Sequence, residues 1–130
     1  MRFAIQINAG PYQHQACASA LAFARAVLAR GHEVIRVFFY HDAVNVATRL
    51  ATPPQDEQDL TRAWRALALD NDLDLVVCVA AAERRGIVDT EQRARHGKDA
   101  DNLAEGFRIA GLGQMVEAAL DADRLVVFGG

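Results

Sequence analysis

Short apolar runs alternate with longer helix-like stretches along the whole of this 130-residue chain. The runs have the length and the β-branched or aromatic content of strands, and they lie at residues 3–8, 32–40, 73–80, 107–110 and 124–128. Strands that alternate with helices are typical of a parallel sheet, because each crossover returns the chain to the same edge. We therefore expect an α/β fold with a single domain over residues 1–130. Its parallel sheet has about five strands, with helices on both faces in a three-layer α/β/α arrangement. The pattern does not predict the strand order.

Two of the intervening stretches carry clear helical signals. Residues 15–30 are rich in alanine and leucine, and Gly31 follows in the position of a C-terminal cap. Residues 59–70 place Trp64 on an apolar side, with acidic residues near the positive end of the helix dipole. We interpret Trp64 as a core residue, since it follows the apolar spacing of the helix.

Composition and charge exclude several classes of protein. Hydrophobic residues make up 52% of the chain and charged residues 24%, as in a folded globular domain, and the net charge is −3. A nucleic-acid surface needs clustered positive charge, so direct binding of nucleic acid is not expected. No apolar run approaches the roughly 20 residues of a membrane span. The chain enters its first strand without a leader-like segment, so we predict a cytoplasmic protein with no membrane partner.

Cys78 is the sharpest candidate for chemistry. It lies near the end of the most apolar run and is followed by the polar segment Glu83-Arg84-Arg85-Gly86. A strand that leads into a helix places its last side chains at the carboxyl edge of a sheet, where open α/β proteins bind ligands. Backbone N–H groups and nearby guanidinium groups would favour a thiolate there. On spacing alone, core packing is the favoured interpretation of the same residue, because free cysteine is often buried.

The other possible sites are weaker. Cys17 lies at the start of a helix, where an exposed thiol would have a lowered pKa, but packing is the simpler interpretation. The four histidines are dispersed and there is no Cys-x-x-Cys pair, so no metal is predicted. The loop at 8–15 lacks the glycine spacing of a nucleotide site, and no cofactor is predicted. Asp72 and Asp74 are interpreted as solvated surface, and residues 84–105 as a polar surface segment and candidate lid beside Cys78.

With these residues in view, the chain resembles the DsrE/TusD family of sulfurtransferase subunits over essentially its whole length. The resemblance is carried by Met1-Arg2-Phe3-Ala4-Ile5, Gly31-His32-Glu33 leading into Val37-Phe38-Phe39-Tyr40, Asp59-Leu60 through Ala63-Trp64, Cys78-Val79-Ala80-Ala81-Ala82 with Arg84-Arg85-Gly86, and Gly111-Leu112-Gly113 before Asp123-Arg124. The cysteine block is the most specific of these segments. Because the family cysteine at the position of Cys78 carries sulfur, the resemblance favours a catalytic persulfide at Cys78 over core packing. Cys17 lies outside this motif and takes no role from it.

The resemblance also implies partners. They are DsrF/TusC-like and DsrH/TusB-like subunits, joined with this chain in an α2β2γ2 heterohexamer, and a DsrC/TusE-like protein that accepts the sulfur. The setting would be cytoplasmic sulfur oxidation or sulfur delivery for 2-thiouridine in tRNA, and the residues do not separate the two. Two other hypotheses remain open: a non-catalytic assembly subunit with an inert Cys78, and a flavodoxin-like cofactor-binding module.

Overall fold

A computed structural model describes residues 1–129 and contains one five-stranded sheet in which every pairing is parallel. The strand order is β4-β3-β2-β1-β5, so β4 and β5 form the edges. The strands are β1 Arg2–Ile7, β2 Glu33–Phe39, β3 Leu75–Cys78, β4 Phe107–Ala110 and β5 Arg124–Phe128. All four residues of β3 are buried, as expected of an interior strand of a parallel sheet.

Five α-helices and one 3₁₀ helix connect these strands. They are α1 Ala16–Ala29, the 3₁₀ helix His41–Ala47, α2 Leu60–Asn71, α3 Val79–Arg84, α4 Thr90–His96 and α5 Gly113–Asp121. Local capping explains several of the ends. The Asp59 carboxylate accepts a hydrogen bond from the Arg62 N–H at 3.1 Å at the start of α2. Past the end of α1, Gly31 adopts a φ of +80°, which glycine accepts without steric cost.

The helices cover both faces of the sheet. On one face, the Phe23 ring of α1 contacts Phe3, and the Trp64 indole of α2 packs edge-on against Phe39 with centroids 5.4 Å apart. On the other face, the Arg36 guanidinium of β2 donates to the Gln114 carbonyl of α5 at 2.8 Å. Successive strand residues point to opposite faces, which is why Arg36 and Phe39 meet different helices. The predicted three-layer α/β fold is confirmed.

The predicted third strand extends too far in both directions. It was expected over residues 73–80, but β3 begins at Leu75 and the chain becomes helical at Val79. The segment Ala80-Ala81-Ala82 has high helix propensity, so a short helix follows the strand without a loop. Trp64 is buried, as predicted. In the part of the chain that the structure describes, no helix is both long and apolar enough to cross a membrane.

Candidate functional site

Cys78 is the last residue of β3 and lies at the carboxyl edge of the sheet. Its backbone is extended, with φ −61° and ψ 125°, and Val79 begins α3 directly after it. The sequence predicted this placement at a strand-to-helix junction. Parallel strands that end at the same edge bring residues from several connections together, so this edge is the natural place for a site.

The neighbouring strands define what lies on either side of Cys78. On the β4 side, Cys78 pairs with Ala110. On the β2 side, Val77 pairs with Phe39, so the next residue, Tyr40, stands beside Cys78. Tyr40 continues the extended backbone by one residue, and its N–H donates to the Ile7 carbonyl at 2.8 Å. Cys78 is therefore flanked by a small side chain on one side and an aromatic one on the other.

The Cys78 side chain is buried in this chain, with only 1% of the residue exposed. Surface cavities of about 420, 590 and 440 Å³ are present, but Cys78 lines none of the three. The cavity of about 440 Å³ lies beside α3 and α4 and is lined by residues such as Ile87 and Gln92, which follow Cys78 in the chain. A thiol at this edge thus reaches solvent only when a neighbouring segment moves.

The two arginines after Cys78 have different surroundings. Arg84 is exposed at the end of α3. Arg85 is half-buried, and its Nε donates to the Asp42 carboxylate at 2.8 Å while its Nη1 donates to the Ala81 carbonyl at 3.0 Å. Arg85 therefore joins the α3 segment to the 3₁₀ helix, and its guanidinium is already engaged by a carboxylate.

Cys17 has a different environment and no opening. It is fully buried between α1 and α2, and the Trp64 indole N–H donates to its Sγ at 3.3 Å. Burial raises the pKa of the Cys17 thiol to about 11, and the indole hydrogen bond offsets only part of this effect. Cys17 is a neutral thiol at physiological pH. The packing interpretation is confirmed, and the alternative of an exposed thiol with a lowered pKa is wrong.

Sequence reasoning missed a charged cluster at the opposite end of β3. Asp74 was interpreted as solvated surface, but its carboxylate accepts from Arg36 Nε at 2.7 Å and from Arg108 Nε at 2.7 Å. Hydrogen bonds from Arg108, then from Arg36, hold the pKa of Asp74 below its ordinary value, against the effect of burial. Arg36 and Arg108 also bind Gln114, so the cluster anchors α5 to the sheet. An acidic residue just before a buried strand, with arginines inside two other strands, was the available signal.

The remaining candidates are spread over the molecule. His32 lies near the N-terminal amine, His96 contacts Gln92, and His41 stacks on Tyr40. Over residues 1–129, no group of three or more histidine, cysteine, aspartate or glutamate side chains could hold a metal ion. The segment at 84–105 is ordered: it contains α4, and the Asn102 side chain donates to the Gly86 carbonyl at 2.9 Å.

Comparison with known proteins identifies the family. The sequence model of the DsrE/DsrF-like family matches residues 1–128. The chain belongs to the DsrE/DsrF-like family. It is 64% identical to the DsrE protein of Allochromatium vinosum over 129 residues, which cover 99% of both chains. It is 48% identical to the Sulfurtransferase TusD homolog of Pseudomonas aeruginosa, covering 100% of this chain and 98% of that protein. The family predicted from the cysteine block and its flanking segments is confirmed.

These relatives support sulfurtransferase activity and a role in sulfur relay, and the predicted enzyme class is confirmed. Among solved structures, the chain is similar to the crystal structure of the ychN protein from E. coli, with a TM-score of 0.80. The match covers 98% of this chain and 99% of that one at 19% identity, so it supports the fold alone. Family membership also implies a sulfur-relay complex with partner subunits.

Proposed function

We propose that this protein carries sulfur as a persulfide on Cys78 and passes it to the cysteine of a DsrC/TusE-like acceptor in the cytoplasm. The observation that carries the proposal is the position of Cys78 at the carboxyl edge of an interior parallel strand, in a chain 64% identical to a DsrE protein. Cys17 is the only other cysteine of the chain, and its raised pKa makes it a poor nucleophile.

The chemistry consists of two thiol exchanges without net oxidation. The Cys78 thiolate attacks the outer sulfur of a donor persulfide, R–S–SH; the donor S–S bond breaks, and R–S⁻ leaves with the electron pair. The product is Cys78–S–SH. An acceptor thiolate then attacks the outer sulfur of Cys78–S–SH, a new S–S bond forms, and Cys78 leaves as a thiolate. Each step conserves one sulfane sulfur, so the chain needs no redox partner of its own.

The partners we propose are a DsrF/TusC-like and a DsrH/TusB-like subunit in an α2β2γ2 heterohexamer. Exposed apolar side chains on α5 and β5 support assembly on this side of the molecule; they are Leu112, Val116, Leu120, Leu125 and Val127. Exposed apolar side chains that are grouped on one side of a protein often mark an interface. Co-expression of the three subunits with a Val116→Glu variant tests this surface by size-exclusion chromatography. We expect the complex to be lost in Val116→Glu and retained in Leu69→Glu, which changes an exposed leucine of α2. Equal elution of both complexes would contradict the assignment.

A second candidate is favoured by the burial of Cys78. A thiol with 1% exposure fits a non-catalytic assembly subunit in which Cys78 is only a core residue. Alkylation of the native protein followed by mass mapping separates the two functions. An inert thiol labels only after unfolding, at the same rate as Cys17, whereas a carrier thiol labels in the folded protein.

Sulfur loading tests the proposed function directly. The protein is incubated with a sulfane-sulfur donor and analysed by intact mass, as wild type, as Cys78→Ser and as Cys17→Ala. We expect the wild type and Cys17→Ala to gain one or more sulfur atoms and Cys78→Ser to gain none. Loading that persists in Cys78→Ser, or that disappears in Cys17→Ala while that variant remains folded, would move the reactive thiol away from Cys78.

A further inference from the structure

The proposed persulfide transfer requires that a partner sulfur reach Cys78, which is 1% exposed. Displacement at a divalent sulfur needs the attacking sulfur to approach in contact with the one attacked. The closed structure therefore describes a resting state, and a segment beside Cys78 has to move before transfer. The contacts on the β2 side identify that segment.

Tyr40 and His41 form an aromatic pair at this position. Tyr40 stands next to Cys78 on the neighbouring strand and is half-buried, with its ring in edge-on contact with Phe38 at a centroid distance of 6.2 Å. The exposed His41 ring stacks on Tyr40 with centroids 3.9 Å apart and planes at 20°. The pair follows the end of β2 at the carboxyl edge of the sheet, where β3 also ends.

The backbone of His41 is under conformational strain, whereas that of Tyr40 is extended. His41 has a φ of +51°, in the left-handed region that non-glycine residues rarely occupy. A residue in this region persists only when its surroundings hold it there, and such residues cluster at sites that switch between conformations. His41 is also the first residue of the 3₁₀ helix, where the chain turns away from β2.

One ion pair holds the segment in place. Asp42, directly after His41, accepts from Arg85 Nε at 2.8 Å. Arg85 is tied to α3 through the Ala81 carbonyl, and α3 begins directly after Cys78 and packs against the 3₁₀ helix. The pair therefore joins the turn after β2 to the turn after β3 across the sheet edge. Breaking it removes the side-chain link between the two turns without removing any core side chain.

We propose that residues 40–42 form a cover over Cys78 and that the Asp42–Arg85 ion pair keeps this cover closed. Opening exposes the thiol to the donor or acceptor cysteine, and closure shields the persulfide from bulk oxidants. This inference rests on the proposed function for its purpose. Whether residues 40–42 cover Cys78 is tested separately, from the reactivity of the Cys78 thiol with no sulfur donor present.

The test is the labelling rate of Cys78 by iodoacetamide in the folded protein, followed by intact mass and peptide mapping. The wild type is compared with Asp42→Asn, Arg85→Gln and the double variant. We expect either single substitution to accelerate Cys78 labelling by about 1.5-fold to 5-fold, the range that loss of a partly exposed ion pair allows. The double variant should label no faster than the faster single variant, because the same interaction is removed only once.

Two matched controls are available in the chain. Arg84→Gln makes the same charge change at the adjacent exposed position and should leave the Cys78 rate unchanged. Cys17, buried in the core, reports global unfolding in the same sample, and its labelling should not accelerate. Equal rates for Arg85→Gln and Arg84→Gln would overturn the proposal. Parallel acceleration of Cys17 and Cys78 would also overturn it, because the effect would then be general loosening.

Failure of the proposed function has a different signature. If Cys78 takes up no sulfur from a donor in wild type and in Arg85→Gln, the persulfide role is wrong. The labelling rates decide the cover independently of that result. If sulfur loads normally but Asp42→Asn and Arg85→Gln leave Cys78 labelling unchanged, the cover is wrong and the carrier function stands.

Discussion

Cys17 and Cys78 are both buried in one hydrophobic core, yet their surroundings differ in what can move. Cys17 lies between two packed helices and is bound by the indole of Trp64, a fully buried side chain. Cys78 lies where a strand ends, beside a strained turn that is held by an ion pair between side chains that are partly exposed. The two thiols have similar exposure, so exposure alone does not separate the structural Cys17 from the proposed carrier Cys78.

The difference teaches that reactivity depends on the cost of opening. Exposing Cys17 requires separation of α1 from α2 and the loss of core packing, which costs a large part of the stability of the domain. In the proposed cover, exposing Cys78 requires displacement only of residues 40–42 at the sheet edge. The predictions below test whether the two regions are as different as this comparison states.

The largest expected effect comes from removing the Trp64 side chain that packs against Cys17. Trp64→Ala deletes the largest fully buried side chain and should lower the free energy of unfolding by about 3–5 kcal/mol, measured by denaturant titration. Leu69→Ala, at an exposed position of the same helix, should change the free energy by less than about 0.5 kcal/mol. A Trp64→Ala variant as stable as Leu69→Ala would show that packing of α2 does not stabilise the core around Cys17.

The pH dependence of stability tests the state of Cys17 directly. The folded-state pKa of Cys17 is raised from 9.0 to about 11, so between these pH values the thiol ionises in the unfolded chain but stays neutral in the folded protein. The contribution of the neutral thiol to the free energy of unfolding is therefore complete below pH 9 and is lost as the pH rises to 11. Two pKa units correspond to roughly 2–3 kcal/mol. Cys17→Ala should therefore lose about that much less stability than wild type between pH 9 and 11. Parallel stability profiles for the two proteins would contradict the raised pKa.

The charged cluster around Asp74, at the opposite end of β3 from Cys78, gives the next effect. Asp74→Asn should lower the free energy of unfolding at pH 7 by about 1–3 kcal/mol, because Arg36 and Arg108 lose a charged partner. The folded-state pKa of Asp74 is lowered, so the difference from wild type is present above pH about 4 and shrinks as the pH falls further. Denaturant titrations at pH 7 and pH 3 measure it. Asp72→Asn, at an exposed helix end, should have little effect at either pH. A difference that is as large at pH 3 as at pH 7 would count against the ion pairs.

The smallest expected effect comes from the cap of α2. Asp59→Ala removes the acceptor for the Arg62 N–H and should cost about 1 kcal/mol, measured by thermal or denaturant unfolding. Asp56→Ala, in the preceding loop, is the control. Since α2 carries Trp64, Asp59→Ala should raise the labelling of Cys17 and leave that of Cys78 unchanged. Faster labelling of Cys78 with unchanged labelling of Cys17 would show that the two regions are not independent.

Much of the fold could be predicted because its signals are local. Residues 107–110 and 124–128 are strands with the predicted bounds, and the helix predicted at 59–70 differs by one residue at each end. The third strand was misjudged because an apolar run of valine and alanine fits a buried strand and a short helix equally well. The placement of Cys78 at the sheet edge could be predicted from the change in polarity after it, and its burial from the apolar run that contains it, but not which residues surround it.

Alternating apolar and helical segments were sufficient to predict parallel α/β layers, and the block around Cys78 together with matching segments along the whole chain was sufficient to predict the family. Pairing of distant residues came only from the folded chain: Arg36 and Arg108 meet at Asp74, and Trp64 meets Cys17, 47 positions away. The same holds for Asp42 and Arg85, 43 positions apart, which meet across the edge where Cys78 lies. The physical reason is the distance along the sequence over which each signal acts. Helix and strand signals act between near neighbours, whereas burial, ion pairs and thiol access depend on which strands become adjacent in the sheet.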